Sequence, residues 1–525
     1  MRYFDANCVL GRFNHWHGEE PITPEGLLAD MDHYGIGDAL VVDSLSREDH
    51  AVEGNERVLE VTADWPRLHP AWVSLPPASR EMPPPSDLVD AMEERGVRAL
   101  FLYPRLYGFS LDSWCVDPLL GPLAERRAPV FVCANQLVGG EGGPDQTDWS
   151  GVARICHAFP EMPVVVTEDR VLRAQRTMYQ AMDACPNLHI DMSALWHYRV
   201  VEFIYREFGS GRLLFGTGLP VRDPGAVLGQ LNFAELEPEA IAGIAGGNLS
   251  RMLSWHKAPL EEAEVSFPDP LDELHAIGRN RGSMKHQGLI CGHGHIGRHT
   301  YVHVPDGSAS ELAAELERLG VEKAIVFANG GINSDEIHGN DLVMDAVRQY
   351  PERFIGFVVV NLNRSADEIE RELARGFAMG MRGVKLHPAL QEYDTNGPNV
   401  ELACAFANER KSLIVNHDWG TTERMRYLCT KYPDACFMTG HTTLEAVPVV
   451  KERGNLFIGT CPLTRYGMIE EVVSQAGADR VLFTSDLSWD PIAWVFGPIL
   501  YAQIPVEDKR LILGGNLRRL LAQYG

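Results

Sequence analysis

Histidine and aspartate residues follow the predicted strands in the second half of this sequence. They are His293 and His295 after residues 289–291, His417 after 413–416, His441 after 437–440, and Asp486 after 481–485. Side chains alternate along a strand, so the His-x-His pair points both imidazoles to the same side. Three of these histidines together with Asp486 would suit Zn²⁺ and leave a position for water. The pattern predicts one divalent metal ion, Zn²⁺ first, with Mn²⁺ or Fe²⁺ as alternatives because these ligands suit several metals.

Short apolar runs alternate with helical patterns around these residues. In the second half, strands are predicted at 324–327, 354–360, 413–415, 437–439, 456–458 and 481–484, and helices at 366–376 and 422–431 among others. Continuous apolar strands that alternate with helices favour a parallel sheet covered on both faces. No G-x-G-x-x-G follows the first strand of either half, which weakens a doubly wound open sheet. The predicted fold class is α/β, with two tandem TIM-like (β/α)8 barrels.

The two halves repeat one pattern at a nearly constant offset. Residues 35–42 match 320–327, Gly54-Asn55 matches Gly339-Asn340, and GVRALFLYP at 96–104 matches GMRGVKLHP at 380–388. Both halves close with Gly-Gly-Asn-Leu-x-Arg, at 246–251 and at 514–519. A repeat this long indicates a duplicated domain. We predict one barrel at 1–256, a proline-containing linker at 257–287, and a second barrel at 288–525.

The motifs of the second half resemble those of the amidohydrolase superfamily, specifically the amidohydrolase-related group (amidohydrolase 2) of TIM-barrel metal-dependent hydrolases and decarboxylases. They are His-Gly-His at 293–295, GVKLHP at 383–388, VNH at 415–417, TGH at 439–441, FTSD at 483–486 and GGNLRRLL at 514–521. The resemblance implies His293, His295, His417 and Asp486 as ligands of one divalent ion, usually zinc. It also implies that Asp486 is the general base and that His441 is an acid/base or substrate-polarising group.

Lys385 and His387 end the fourth predicted strand of the second half and share one face. We predict that both bind substrate, with the Lys385 ammonium holding a carboxylate and His387 lying nearer the metal. The resemblance supplies an alternative, because a carboxylated lysine on this strand bridges two metals in binuclear members of the superfamily. Cys461 follows the seventh strand and is interpreted as a buried packing residue. Trp419 and Trp489 either wall the pocket or only pack loops.

The first half lacks the metal ligands at the matching positions. Counted from shared motifs, the replacements are Asn7 for His293, Val9 for His295, Phe101 for Lys385, Tyr103 for His387, Ala134 for His417, Glu168 for His441, and Gly218 for Asp486. A second His-x-His pair, His15 and His17, lies in a predicted loop without partner ligands. We expect a catalytically inert first barrel that packs on the second as an internal pseudo-dimer, with a homodimer as a further option.

Three functions remain open from the sequence. The first is hydrolysis of an amide, lactam or lactone, in which metal-activated water attacks the carbonyl and Asp486 takes the proton. The second is nonoxidative decarboxylation of an unsaturated or aromatic carboxylic acid. The third is a binding protein without activity, which the intact ligand set in the second half disfavours. Hydrolysis is the leading prediction.

The acidic composition of the chain disfavours some classes of binding partner. The formal net charge is −25, and an acidic protein repels nucleic acid and anionic membranes, so the expected partner is a small-molecule substrate. No apolar run is long enough to span a membrane, and the N-terminal residues lack the apolar region of a signal peptide. The ten cysteines include no C-x-x-C pair, which predicts reduced thiols in the cytoplasm.

Overall fold

The computed structural model describes residues 1–13, 21–134, 147–168, 170–171, 173–260 and 263–524. The chain divides into a first unit, Met1–Pro270, and a second unit, Leu271–Gly525. The His15 and His17 pair lies outside the described residues. The division falls inside the predicted linker, and the later part of that linker contains a helix of the second unit, Glu273–Asn280. The limits 1–256, 257–287 and 288–525 stay a prediction.

The described part of the first unit contains nine strands in two parallel sheets, ordered β1-β2-β3 and β4-β5-β6-β7-β8-β9. They are β1 Tyr3–Leu10, β2 Ile36–Asp43, β3 Leu68–Pro70, β4 Trp72–Val73, β5 Leu100–Leu102, β6 Val130–Cys133, β7 Val164–Thr167, β8 Leu188–Asp191 and β9 Leu213–Leu214. Only Ala71 separates β3 from β4. The amide of Ala6 donates to the carbonyl of Phe215 (2.8 Å), which joins β1 to the segment after β9.

The helices of the first unit follow the strands. They are α1 Pro24–Tyr34, α2 Ser44–Glu48, α3 Ala51–Thr62, α4 Pro85–Arg95, α5 Ser113–Arg126, α6 Trp149–Ala158, α7 Gln175–Ala184, α8 Val200–Phe208, α9 Pro224–Asn232, α10 Pro238–Ala242 and α11 Asn248–Met252. A π-helical turn, Gly243–Gly247, lies between α10 and α11.

The second unit contains one parallel sheet, whose eight strands within residues 271–524 are hydrogen-bonded in chain order. They are β10 Leu289–Ile296, β11 Val321–Ala328, β12 Phe354–Val359, β13 Gly383–Leu386, β14 Leu413–Asn416, β15 Cys436–Thr439, β16 Leu456–Gly459 and β17 Val481–Leu482. The amide of Gly292 donates to the carbonyl of Phe483 (2.8 Å), and Gly294 forms a parallel bridge with Leu487. These contacts join the first strand to the segment after the last, as the predicted barrel requires.

The helices of the second unit alternate with its strands, as predicted. They are α12 Glu273–Asn280, α13 Ala309–Arg318, α14 Asn329–Asn333, α15 Glu336–Gln349, α16 Ala366–Met379, α17 Pro388–Gln391, α18 Pro398–Arg410, α19 Thr422–Lys431, α20 Val447–Glu452, α21 Met468–Ala476, α22 Ile492–Tyr501, α23 Val506–Arg510 and α24 Asn516–Gln523. The local sequence sets these bounds. At α16, Ser365 and Glu368 form a capping box, and Gly380 ends the helix with a φ of 109°.

Equivalent contacts in the two units confirm the duplication. The Nδ2 of Asn55 donates to the carbonyl of Val73 (2.8 Å), whose amide donates back to Oδ1 (2.9 Å). Asn340 and Val359 make the same two bonds at the same lengths. A second π-helical turn, Leu511–Gly515, precedes α24 as the first one precedes α11. The shared Gly-Gly-Asn motif and the Gly-Asn pair therefore perform the same structural work in each unit.

Buried side chains fill the centre of each unit. In the second unit, alternating residues of each strand, such as Ile325 and Phe327 of β11, pack together in the centre. The carboxyl ends of the strands carry the polar residues, which is where barrel enzymes bind their substrates. Among the described residues, no helix is both long and apolar enough to cross a membrane.

Candidate metal centre

The carboxyl ends of the second unit's strands bring the predicted site residues together. His293 and His295 lie on β10 itself rather than after it, because this strand continues to Ile296 through a register shift between Cys291 and Gly294. Lys385 lies on β13, and the other site residues directly follow their strands: His387 after β13, His417 after β14 and His441 after β15. Asp486 lies four residues beyond the short strand β17 and has a φ of 56°.

Three ligand atoms converge at the centre of this site. The Oδ1 of Asp486 lies 3.1 Å from Nε2 of His293 and 2.9 Å from Nε2 of His295, and the two nitrogens are 3.3 Å apart. All three side chains are buried. These residues form one of the groups whose arrangement could hold a metal ion.

The tautomer of His293 fits a metal ligand. Its Nδ1 lies 3.0 Å from the carbonyl oxygen of Gly440. A carbonyl only accepts, so Nδ1 carries the proton and Nε2 of the neutral ring presents a lone pair to the centre. A backbone carbonyl that fixes the outer nitrogen is the usual arrangement around metal-bound histidine. The donor set therefore fits a divalent ion of the Zn²⁺, Mn²⁺ or Fe²⁺ type.

Burial keeps the imidazoles of the site in the neutral form that binds metal. It lowers the pKa of His295 and of His417 to about 4, and the pKa of His293 also falls. For Asp486, burial opposes ionisation, but the neighbouring His293 and His295 outweigh burial and hold the pKa of this carboxyl well below its usual value. Asp486 is therefore a carboxylate at neutral pH.

Lys385 is fully buried beside the convergent atoms. Its Nζ donates to Nε2 of His293 (3.2 Å) and lies 4.4 Å from the centroid of the Phe327 ring. Burial lowers the pKa of Lys385 from 10.5 to about 7. The amine is thus a group that can gain or lose a proton near neutral pH.

His387, His417 and His441 form a row of imidazole rings beside the centre. The rings of His387 and His417 stack with centroids 4.1 Å apart, and the rings of His417 and His441 meet edge to face at 4.3 Å. His441 is also 5.6 Å from His293, measured between ring centroids. His417 is not among the residues whose ligand atoms lie within 4.8 Å of one another. Its role as a fourth ligand stays a prediction.

Three residues near the centre had no clear role in the sequence. Cys461, buried after β16, forms a second potential metal-binding group with His441 and Asp486. The Trp489 ring lies 5.4 Å from the ring of His295, and its Nε1 donates to Oδ1 of Asn329 (2.7 Å), so Trp489 lines the site. Trp419 instead packs on Phe437 and donates to the carbonyl of Met438, which is the packing interpretation.

The pairing of strands corrects one position of the comparison between the halves. Phe101 pairs with Phe131 in the first unit, and Lys385 pairs with Val415 in the second. Because Phe101 matches Lys385, the residue that matches His417 is Cys133, and the predicted Ala134 is wrong by one residue. A shift of one residue turns a side chain to the other face of a strand, so only Cys133 has the orientation of His417.

An ion pair occupies the corresponding region of the first unit. Glu168, at the position of His441, accepts from an Nη of Arg47 at 2.7 Å. Both side chains are almost completely buried, and the guanidinium lies over the rings of Phe13 and Tyr103. Asn7, at the position of His293, donates to Oγ of Ser193 (3.3 Å) and Oγ1 of Thr167 (3.1 Å). In the described residues, this unit offers no group that could hold a metal.

The sequence matches the family model named Amidohydrolase twice, over residues 18–255 and 293–522. Together the two matches cover most of the chain, and the protein belongs to the amidohydrolase family as a tandem duplication. No curated protein sequence matches the chain.

Several solved structures are similar to one half of the chain. The 2,6-dihydroxybenzoate decarboxylase from Rhizobium is 16% identical over 46% of this chain and 100% of its own, with a TM-score of 0.38. The 5-carboxyvanillate decarboxylase from Sphingomonas paucimobilis is 16% identical over 45% of this chain and 99% of its own, with a TM-score of 0.37. A probable 2-pyrone-4,6-dicarboxylic acid hydrolase from Acinetobacter baumannii is 13% identical over 45% of this chain and 99% of its own, with a TM-score of 0.35.

Proposed function

We propose that the second unit is a metal-dependent hydrolase of a small-molecule amide, lactam or lactone. The observation that carries the proposal is the convergence of His293 Nε2, His295 Nε2 and Asp486 Oδ1 at the carboxyl end of the barrel. Zn²⁺ is the proposed ion, with Mn²⁺ or Fe²⁺ as alternatives, and His417 is the proposed fourth ligand.

The residues of the site have separate tasks in this reaction. A bound divalent ion would polarise a carbonyl group and lower the pKa of water. Asp486, an ionised carboxylate at neutral pH, accepts the proton of the attacking water. His441 polarises the substrate or carries a proton, while His387 and Lys385 bind the substrate, with the cation of Lys385 stabilising developing negative charge.

Decarboxylation is the second candidate, and Lys385 is the observation that favours it. An ammonium group buried beside the ligand atoms is suited to hold the carboxylate of an acid substrate. Because burial lowers its pKa to about 7, the same group can also deliver a proton to the carbon from which CO₂ leaves. Hydrolysis consumes water and decarboxylation releases CO₂, so the products separate the two candidates.

The first test is the metal content of the purified full-length protein. We expect about one tightly bound divalent ion per chain at this group of ligands, and the loss of that one ion in His293→Ala. Asn7→Ala is the matched control because Asn7 holds the same strand position in the first unit, and this variant should keep the ion. An unchanged metal content in His293→Ala, or no ion under metal-replete conditions, would refute the metal-dependent function.

The reaction is then identified by screening the metal-loaded protein. Lactones, amides and carboxylic acids are incubated with it in H₂¹⁸O, and the products are analysed by mass spectrometry and for CO₂. An acid product that contains ¹⁸O supports hydrolysis, whereas CO₂ without incorporation into the product supports decarboxylation. We further propose that the first unit is non-catalytic, and Asn7→Ala should accordingly leave turnover unchanged.

A further inference from the structure

Cys461 lies among the carboxyl ends of the last three strands of the second unit. Its Sγ, a ring nitrogen of His441 and a carboxylate oxygen of Asp486 lie within 4.8 Å of one another. These residues follow β16, β15 and β17, which are neighbours in the sheet. Asp486 thus belongs to two groups of potential ligands, one with His293 and His295 and the other with His441 and Cys461.

Hydrogen bonds of both the backbone and the thiol fix the position of Cys461. The amide of Cys461 donates to Oγ1 of Thr484 (3.0 Å), and its carbonyl accepts from the amide of Thr442 (2.8 Å). The thiol donates to Oδ2 of the buried Asp490 at 3.6 Å. The side chain of Cys461 is completely buried. Asp490 is therefore a defined acceptor beside the thiol for the proton that Cys461 must release when it binds a metal.

We propose that Cys461, His441 and Asp486 form a second divalent-cation site, beside the first and sharing Asp486 with it. A thiolate, an imidazole and a carboxylate together select a thiophilic ion, such as Zn²⁺ or Cd²⁺, over Mg²⁺ or Ca²⁺. Binding replaces the S–H bond with a sulfur–metal bond, and the released proton goes to Asp490 or to water. The inference rests on the proposed function because it uses the same centre.

The first unit supplies an internal comparison. β8 and β16 have the same register against their next strands, so Ser193 takes the place of Cys461. Glu168 and Gly218 take the places of His441 and Asp486. The unit that lost the first group of ligands has therefore also lost all three members of the second. At the position of the Cys461 thiol, the hydroxyl of Ser193 in the first unit donates to Asp191 and accepts from Asn7.

The proposal is tested by adding Cd²⁺ to metal-free full-length protein. Cadmium–thiolate bonds have an ultraviolet charge-transfer absorption, which reports on the thiol independently of catalysis. We expect about two Cd²⁺ per chain in the wild type, and in Cys461→Ser the loss of the charge-transfer band together with about one equivalent. Cys436→Ser is the matched control, since Cys436 is buried on β15 of the same unit but belongs to neither group.

A band of equal intensity in Cys461→Ser and wild type would overturn the proposal. His293→Ala separates it from the proposed function, because this variant should lose the first ion and keep the cadmium–thiolate band. A measurement on the wild type alone covers the case in which Cys461→Ser does not fold. Titration of the wild type with Cd²⁺ should produce the charge-transfer band by the second equivalent, and a titration to excess Cd²⁺ without this band would also overturn the proposal.

Discussion

Nζ of Lys385 lies 3.2 Å from Nε2 of His293, the same nitrogen that faces Oδ1 of Asp486 at 3.1 Å. The amine of Lys385, the imidazole of His293 and the carboxylate of Asp486 thus lie within hydrogen-bonding distance of one nitrogen. The side chain of Lys385 is completely buried. A cation at this place assists an anionic substrate, whereas a carboxylated lysine would be a ligand that bridges two ions. These two roles of Lys385 predict different metal contents for a variant that lacks the amine.

Lys385→Gln tests these roles. If the ammonium holds substrate, the variant keeps the metal content of the wild type and loses roughly 10²–10³-fold in kcat/KM, the usual effect of removing one group that stabilises developing charge. The measurements are metal content and turnover of the compound identified by screening. If Lys385 is a carboxylated bridge, the variant instead loses a metal ion together with its activity. His338→Gln, an exposed change on α15, serves as the control.

The position of the site could be predicted from the sequence, because barrel strands present their carboxyl ends at one edge. The match between His417 and Cys133 could not, since aligning PVFVCA with SLIVNH end to end matches their apolar residues and places Ala134 on His417. Only the hydrogen bonds between strands reveal the true register. The sequence also ends the first strand of the second unit at Cys291, because two glycines follow within the next three residues and glycine is depleted in strands. Pairing with β11 overrides this preference and extends β10 to Ile296.

The second group of ligands was missed for a similar reason. Cys461 is 20 residues from His441 and 25 from Asp486 along the sequence, and a single cysteine after an apolar strand is most often a packing residue. The internal repeat is the observation that could have indicated Cys461 as a potential metal ligand. Ser193 replaces Cys461 in the unit where the metal ligands are replaced too.

The buried ion pair of the first unit predicts a large cost when one partner is removed. Arg47→Met leaves the carboxylate of Glu168 buried without its cation, and we expect the free energy of unfolding to fall by about 3–5 kcal/mol. The double variant Arg47→Met/Glu168→Gln removes both charges and should recover part of the loss. Urea denaturation measures both. As a control, Arg95→Met breaks the exposed pair with Glu56 and should cost at most about 1 kcal/mol. Equal losses in the two single variants would contradict this account.

The Gly-Gly-Asn motif makes a prediction about packing. A Cβ on Gly514 would lie 2.0 Å from the carbonyl oxygen of Gly288, whereas a Cβ on Gly515 would lie no closer than 3.4 Å to Arg510. Gly514→Ala should therefore destabilise the second unit by roughly 3 kcal/mol, because the backbone of β10 has to move. Gly515→Ala should remain within about 1 kcal/mol of the wild type. Thermal unfolding compares the two, and similar midpoints would show that the close approach of Gly514 has no energetic weight.

The first unit should become less stable as the pH rises from about 4 to 7. Burial raises the pKa of Asp191 from 3.8 to about 7 and that of the neighbouring Asp5 from 3.8 to about 6. Between the unfolded and folded pKa values, the folded state binds more protons than the unfolded chain. The stabilisation is therefore complete below about pH 4 and is lost as the pH rises to 7, by up to about 1.4 kcal/mol per pH unit for each carboxyl.

Asp191→Asn isolates this effect. The amide oxygen can still accept from the backbone amide of Ser193, as Oδ1 of Asp191 does at 2.8 Å, but the side chain no longer ionises. We expect the free energy of unfolding to depend less steeply on pH between 5 and 8 than in the wild type, with the variant more stable at pH 8. Urea denaturation at four pH values measures the slope, and Asp183→Asn, an exposed change on α7, is the control. A slope unchanged in Asp191→Asn would mean that this carboxyl does not carry the proton in the folded state.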